Sequence, residues 1–161
     1  MTGVSITIDL TGIDQALAAL SRLVSGVGDE DMMSAIGAIG ESQTRRRIQS
    51  EKSGPDGQAW PPNLEGTSIL LRSGQHLLGS IAWTASATHA EWGASWEFAH
   101  VHQFGATIVP KQAKQLSFVV GGRRVNTKKV TIPPRPFIGI SDDNARQLLQ
   151  IVTDHFGKLL S

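Results

Sequence analysis

The sequence predicts an α+β domain: a small antiparallel sheet with a projecting β-hairpin, packed against two N-terminal helices and one C-terminal helix. Three observations carry that prediction. Apolar residues recur at helical spacing over 12–25, from Asp29 to the Arg45-Arg46-Arg47 triplet, and again after Ser141. Leu116-Ser117-Phe118-Val119-Val120 and Arg123-Arg124-Val125 flank Gly121-Gly122, a two-residue hairpin turn. The chain has 161 residues, without internal repeats or a dividing linker, which is the size of one domain spanning 1–161.

The elements follow in order. Val4, Ile6 and Ile8 alternate with Ser5, Thr7 and Asp9, the period of a short strand. Thr11-Gly12-Ile13-Asp14 has the form of a capping box. Ile13, Leu17, Leu20 and Val24 then mark the buried stripe of a helix over 12–25, closed by Gly26 and Gly28. Asp29 starts a second helix, with acids in its first turn and the Arg triplet in its last, as the helix dipole favours. Gly37 and Gly40 interrupt its apolar stripe of Met32, Ile36 and Ile39. Each costs about 1 kcal/mol relative to alanine, which points to a close approach by another backbone.

Residues 53–67 read as a loop, with turn chemistry at Ser53-Gly54-Pro55-Asp56-Gly57 and a rigid exit at Trp60-Pro61-Pro62. A lone tryptophan in such a place needs an anchor, so Trp60 is expected to be buried against an N-terminal helix. A turn and short helix over 70–81 lead into strands at about 80–88 and 91–96. Trp96 to Gly105 is the densest aromatic stretch and is expected to hold a short helix at 97–103. Lys128 to Ile132 runs extended into Pro133-Pro134-Arg135-Pro136, where three prolines fix φ and remove backbone donors. Ser141 caps the final helix, and Ala145, Leu148, Val152, Phe156 and Leu159 form its stripe.

Composition excludes several kinds of chemistry. There is no cysteine, hence no disulfide, thiolate metal site or cysteine nucleophile. Charged residues make up 18% and the net charge is +1, too weak a balance to draw the chain to nucleic acid or an anionic membrane as a whole. Met1 to Ser5 lacks the basic and apolar regions of a signal peptide, and no apolar run reaches the ~18 residues of a membrane span. A soluble intracellular protein without membrane contact is the expectation.

No catalytic constellation stands out. His100-x-His102 shares a face only on an extended segment, since on a helix the two rings diverge by about 200°. There is no HExxH pattern, no Gly-x-Ser-x-Gly elbow and no phosphate-binding glycine loop. Asp142 and Asp143 after Ser141 are what a helix N-terminus prefers. The chain is therefore expected to be non-enzymatic, without cofactor or metal. The remaining cluster is basic: Lys111, Lys114, Arg123, Arg124, Lys128 and Lys129, on or beside the hairpin. Lysines there block unwanted strand pairing. They would also suit phosphate-backbone contact without base readout, the basis of an alternative reading as a sequence-nonspecific nucleic-acid-binding protein.

Four ordered blocks resemble the phage virion morphogenesis, or tail-completion, family of Mu-like tailed bacteriophages. Pro55-Asp56-Gly57-Gln58-Ala59-Trp60 is similar to its Pro-Asp-Gly-x-x-Trp loop, and Leu71-Arg72-Ser73-Gly74 with Leu77 and Ser80-Ile81 to its Leu-x-Thr-Gly-x-Leu-x-x-Ser-Ile block. Ala99-His100-Val101-His102-Gln103-Phe104-Gly105 resembles its Tyr-Ala-x-Ile-His-Gln-Phe-Gly block, with Phe98 in place of the tyrosine. Ile132-Pro133-Pro134-Arg135-Pro136-Phe137-Ile138-Gly139 resembles Ile-Pro-Ala-Arg-Pro-Phe-Leu-Gly.

The resemblance implies a structural protein of the head–tail junction, or neck, in the virion, assembled in the host cytoplasm. It implies a homo-oligomeric ring, with six copies as the working number. Its neighbours would be other neck and tail proteins (connector, terminator or tail tube), and packaged DNA a nonspecific contact. Phe98, His102, Phe104, Arg135 and Phe137 are the expected subunit or neighbour interface, and the six basic residues a lumen- or DNA-facing set. Arg135, held between prolines, is expected to grip a carboxylate bidentately, either Glu97 or an acid of the next subunit.

Overall fold

The computed structural model describes residues 11–26, 28–71 and 76–160. The strand expected at 4–8 lies outside the described residues, as does most of the Leu71-Arg72-Ser73-Gly74 block. Four helices and six short strands make an α+β arrangement among the described residues: α1 (Thr11–Gly26), α2 (Glu30–Arg46), β1 (Ile81–Ser86), β2 (His89–Ala94), α3 (Ala99–Phe104), β3 (Ala106–Ile108), β4 (Leu116–Val120), β5 (Arg123–Thr127), β6 (Val130–Ile132) and α4 (Asp142–Leu160). The pairing is antiparallel throughout, as expected. It is divided among three two-stranded ladders, β1–β2, β3–β6 and β4–β5, instead of one sheet.

α2 begins as the sequence indicates. The Asp29 carboxylate accepts the N–H groups of Asp31 and Met32 at 2.7 and 3.0 Å, satisfying donors that the first turn leaves open. The helix ends in a π-helical turn, Arg47–Glu51, and Lys52 follows in the left-handed conformation. Arg47 and Ile48, consecutive in this turn, are both buried. The Lys52 ammonium donates to the Ile48 carbonyl and to that of Ile69 at 2.9 Å, binding the turn to the following loop.

The glycines of α2 have a physical reason. Trp83 and Trp92 are direct cross-strand partners in the β1–β2 hairpin, so both indoles stand on one face. That face lies on α2. A Cβ on Gly37 would come within 2.6 Å of the Trp83 ring, and one on Gly40 would overlap the Trp92 ring. The expected close approach is present, but indole rings make it, not a neighbouring backbone.

The stripe read for α1 is corrected. Leu17, Leu20 and Val24 are all more than half exposed. α1 rests on α4 through another face, where Gly26 is buried against Leu159 and Leu23 is half-buried. On α4, Leu148, Val152, Phe156 and Leu159 are half-buried as anticipated, whereas Ala145 is exposed.

The central core joins segments from most of the chain: Ile48, Trp60, Leu77, Ile81, Ala99 and Phe137. Trp60 is buried as expected. It shares this cluster with Ile48 of the π turn, and its indole N–H donates to the Pro136 carbonyl at 3.0 Å. A buried tryptophan with its polar edge satisfied removes a large apolar area from water without stranding a donor.

Candidate functional site

The described parts of the four motif blocks, through Trp60, Leu77, Ile81, Ala99 and Phe137, share one core beside the proline-rich segment 132–139. Because prolines supply no N–H, the segment cannot be held as an interior strand. Side chains from other elements hold it instead. The carboxamide oxygen of Gln103, in α3, accepts the N–H groups of Phe137 and Ile138 at 3.0 and 3.1 Å. Its nitrogen donates to the Ile138 carbonyl at 3.0 Å. The Arg135 N–H donates to the His102 carbonyl at 2.7 Å. Gly105 turns the chain at φ 73°, and a Cβ there would stand 2.9 Å from both the Ile132 carbonyl oxygen and the Pro134 nitrogen, so only glycine fits.

Arg47 closes the junction from the helical side. Its guanidinium donates to the carbonyls of Phe137 at 2.8 Å and Gly139 at 3.3 Å, and to the Asn144 side-chain oxygen at 2.8 Å. Asn144 and Ser141 exchange reciprocal capping bonds at 3.3 Å, which start α4. Burial holds the Arg47 pKa below its ordinary value; the Glu51 carboxylate opposes that shift and Arg46 reinforces it. The sequence places Arg47 with Arg45 and Arg46 in the last turn of a helix, and singles out neither Gln103 nor Asn144. The helical signal gave no hint that the last arginine turns inward; the carbonyl-rich, donor-poor proline segment is the feature that calls for such a side chain.

The five residues expected at an interface separate into two groups. Phe98 and Phe104 are on the surface, 49% and 76% exposed, and Ile108 and Val109, just after α3, are exposed too. Phe98 meets Trp96 edge-on at 5.5 Å. His102 is half-buried and stacks on Trp96 at 5.6 Å, as His76 does at 5.8 Å. Phe137 is fully buried in the core. Arg135 is 6% exposed, and its Nε and Nη2 donate to the carbonyls of Pro61 and Pro62 at 2.9 and 3.0 Å. The expected bidentate grip exists, but its acceptors are two proline carbonyls and not the carboxylate of Glu97. Consecutive prolines leave two carbonyls without a local donor, and a planar fork suits such a pair.

The six basic residues are all exposed. The hairpin pairs as predicted, Val120 with Arg123 and Val119 with Arg124. Directly opposed residues share a face and neighbours alternate, so Arg123 and Arg124 point to opposite faces. Among the described residues the hairpin joins no other strand. A hydrogen bond from the Gly121 N–H to the Glu65 carboxylate, 3.3 Å, links its tip to the 63–67 loop, so the arm is tethered at its end.

His100 and His102 lie on α3, two positions apart on a helix, and therefore diverge. His89 pairs with Glu91 at 2.9 Å. Among the described residues no group of three His, Asp or Glu side chains is placed to hold a metal ion, and no helix is long and apolar enough to cross a membrane.

The sequence pattern of the phage virion morphogenesis family matches residues 8–157, nearly the whole chain. No curated protein and no solved structure matches it.

Proposed function

The chain belongs to the phage virion morphogenesis family, and on that premise we propose that this virion-assembly protein is a ring-forming subunit of the head–tail junction. In this reading it is a non-enzymatic joining piece. Copies of the chain form a ring in the neck, and the ring bridges connector, terminator or tail-tube proteins. The observation that carries the reading is the set of exposed apolar side chains Phe98, Phe104, Ile108 and Val109, on and just after the short helix that Gln103 bonds to the proline-rich segment. Large aromatic side chains on a rigid support are the usual anchors of protein interfaces.

Reconstruction of the virion neck tests this directly, with density for a closed ring of this chain as the expected result. Phe104→Asp, at an exposed position, is expected to leave the monomer folded and to yield heads and tails that do not join. Wild-type particle yield from that variant would remove Phe104 from the assembly surface.

The six exposed cations favour a second reading, nonspecific contact with packaged DNA. Arg123 and Arg124 face opposite ways, so the arm presents no single basic face, and the joining role stands first. Duplex binding that weakens steeply with salt, in a protein that never assembles, would reverse that order.

A further inference from the structure

Charge is divided unequally along the chain. Residues 98–141 hold seven Lys and Arg and no Asp or Glu. The rest holds the other eight cations and all fourteen acids, a balance of minus six against plus seven. The near-neutral total hides a basic segment, which contains the β4–β5 arm, and an acidic remainder. DNA would be drawn to the first and repelled by the second. A second copy of the chain answers both.

The acidic remainder offers a receiving surface. With Trp83 and Trp92 turned onto α2, the other face of the β1–β2 hairpin carries Ala82, Thr84, Glu91 and Gly93. These residues help line an open groove of about 690 Å³ along the hairpin, whose wall also includes Trp83 and Trp92 and which reaches Ile138 at one side. Glu91 is its one acid. It is more than half exposed, and its described partner is an exposed histidine, His89. On the arm, Ser117, Val119, Arg124 and Asn126 form the face on which every residue is exposed, with Val119 directly opposite Arg124.

We propose that the β4–β5 arm of one copy seats its Val119–Arg124 face in the β1–β2 groove of the next, with Arg124 facing Glu91. The proposal rests on the ring reading and deepens it by naming the contact. Arm and groove are different surfaces of the same chain, so each copy gives and receives. Such head-to-tail contact closes into a ring when its rotation allows.

The full-length wild-type protein is sized first by sedimentation. A chain that stays monomeric at every concentration and forms no ring in the virion overturns the ring reading and the docking with it. In an assembling protein, Gly93→Leu fills the groove. A Cβ there has no atom within 4 Å, so the monomer is expected to keep its thermal midpoint while association weakens about tenfold or more. Glu91→Lys and Arg124→Glu are each expected to weaken it by about tenfold, and together to restore most of the loss. Unchanged assembly of Gly93→Leu, or a double variant no better than the singles, overturns the docking and leaves the ring standing. The chain has no cysteine, so Glu91→Cys with Arg124→Cys introduces its only thiols. Disulfide-linked chains are expected, and a bond formed only within one chain overturns the proposal.

Discussion

The side-chain amide of Gln103 is fully matched to the backbone of Ile138: it accepts that residue's N–H at 3.1 Å and donates to its carbonyl at 3.0 Å, while also accepting the N–H of Phe137. One side chain thus supplies the two-way pairing that a neighbouring strand would supply elsewhere. Gln103→Leu keeps the volume but strands these groups. It is expected to cost about 2–4 kcal/mol, measured by urea denaturation. A loss below about 0.5 kcal/mol, the usual scatter of surface substitutions, would mean that water replaces the amide without penalty.

Arg47 is the cation on which α2, the proline-rich segment and α4 meet. Arg47→Met leaves the Phe137 carbonyl without its arginine donor and takes from the Asn144 side-chain oxygen the shorter of its two hydrogen bonds, and a loss of about 3 kcal/mol or more is expected. Arg47→Lys is expected to recover little of it, because one ammonium cannot reproduce the fork that serves both acceptors. Full rescue by lysine, read from the same denaturation midpoint, would show that charge and not geometry holds the junction.

Two glycine substitutions on helices should have opposite signs. Gly40→Ala gains about 1 kcal/mol of helix propensity but forces a methyl into the Trp92 ring, which costs about 1–3 kcal/mol, so a net loss is expected. Gly157→Ala on α4 meets no atom within 4 Å and is expected to stabilise by up to about 1 kcal/mol. Thermal midpoints of the two variants decide the matter. A more stable Gly40→Ala would mean that the indole moves aside freely.

Acid is expected to weaken the fold through His102. Its Nδ1 is buried without a partner among the described residues, and burial, followed by the nearby Arg135 guanidinium, holds its pKa below the ordinary 6.5. The folded chain therefore resists a proton that the unfolded chain accepts. This contribution is fully present above about pH 6.5, is lost progressively as pH falls toward the folded value, and does not grow below it. Denaturation midpoints between pH 7.5 and 5.5 should drop more in the wild type than in His102→Gln. Equal slopes would remove His102 as the source.

Much of this arrangement was legible in the sequence, and the parts that were not have definable causes. α2, the Gly121-Gly122 hairpin, the short helix before Gly105 and α4 follow from periodicity, caps and turn residues, which are local signals. The buried face of α1 is missed because Leu17, Leu20 and Val24 form the larger apolar stripe, while α4 meets a face that includes Gly26, whose contribution is the absence of a side chain. Arg135 and Arg47 were misjudged for a common reason. Their acceptors are mostly carbonyls, which every residue carries, so no residue type marks them. The basic cluster read as one patch because sequence proximity hides the alternation that sends Arg123 and Arg124 apart.

The Arg47 fork also bears on how the chain is made. Its acceptors lie 90 to 97 residues downstream, so the junction cannot form until α4 has begun to leave the ribosome. Bringing such distant segments together is slow relative to local helix formation, and the core must wait for it. A chain interrupted before Phe137 lacks both that residue and the carbonyls that accept hydrogen bonds from the buried fork, and is expected to remain open to protease. Limited proteolysis of chains ending at residue 132 and at residue 160 would show the difference. Synthesis then acts as a gate: incomplete subunits stay unfolded and degradable, and only finished chains become available for incorporation into particles.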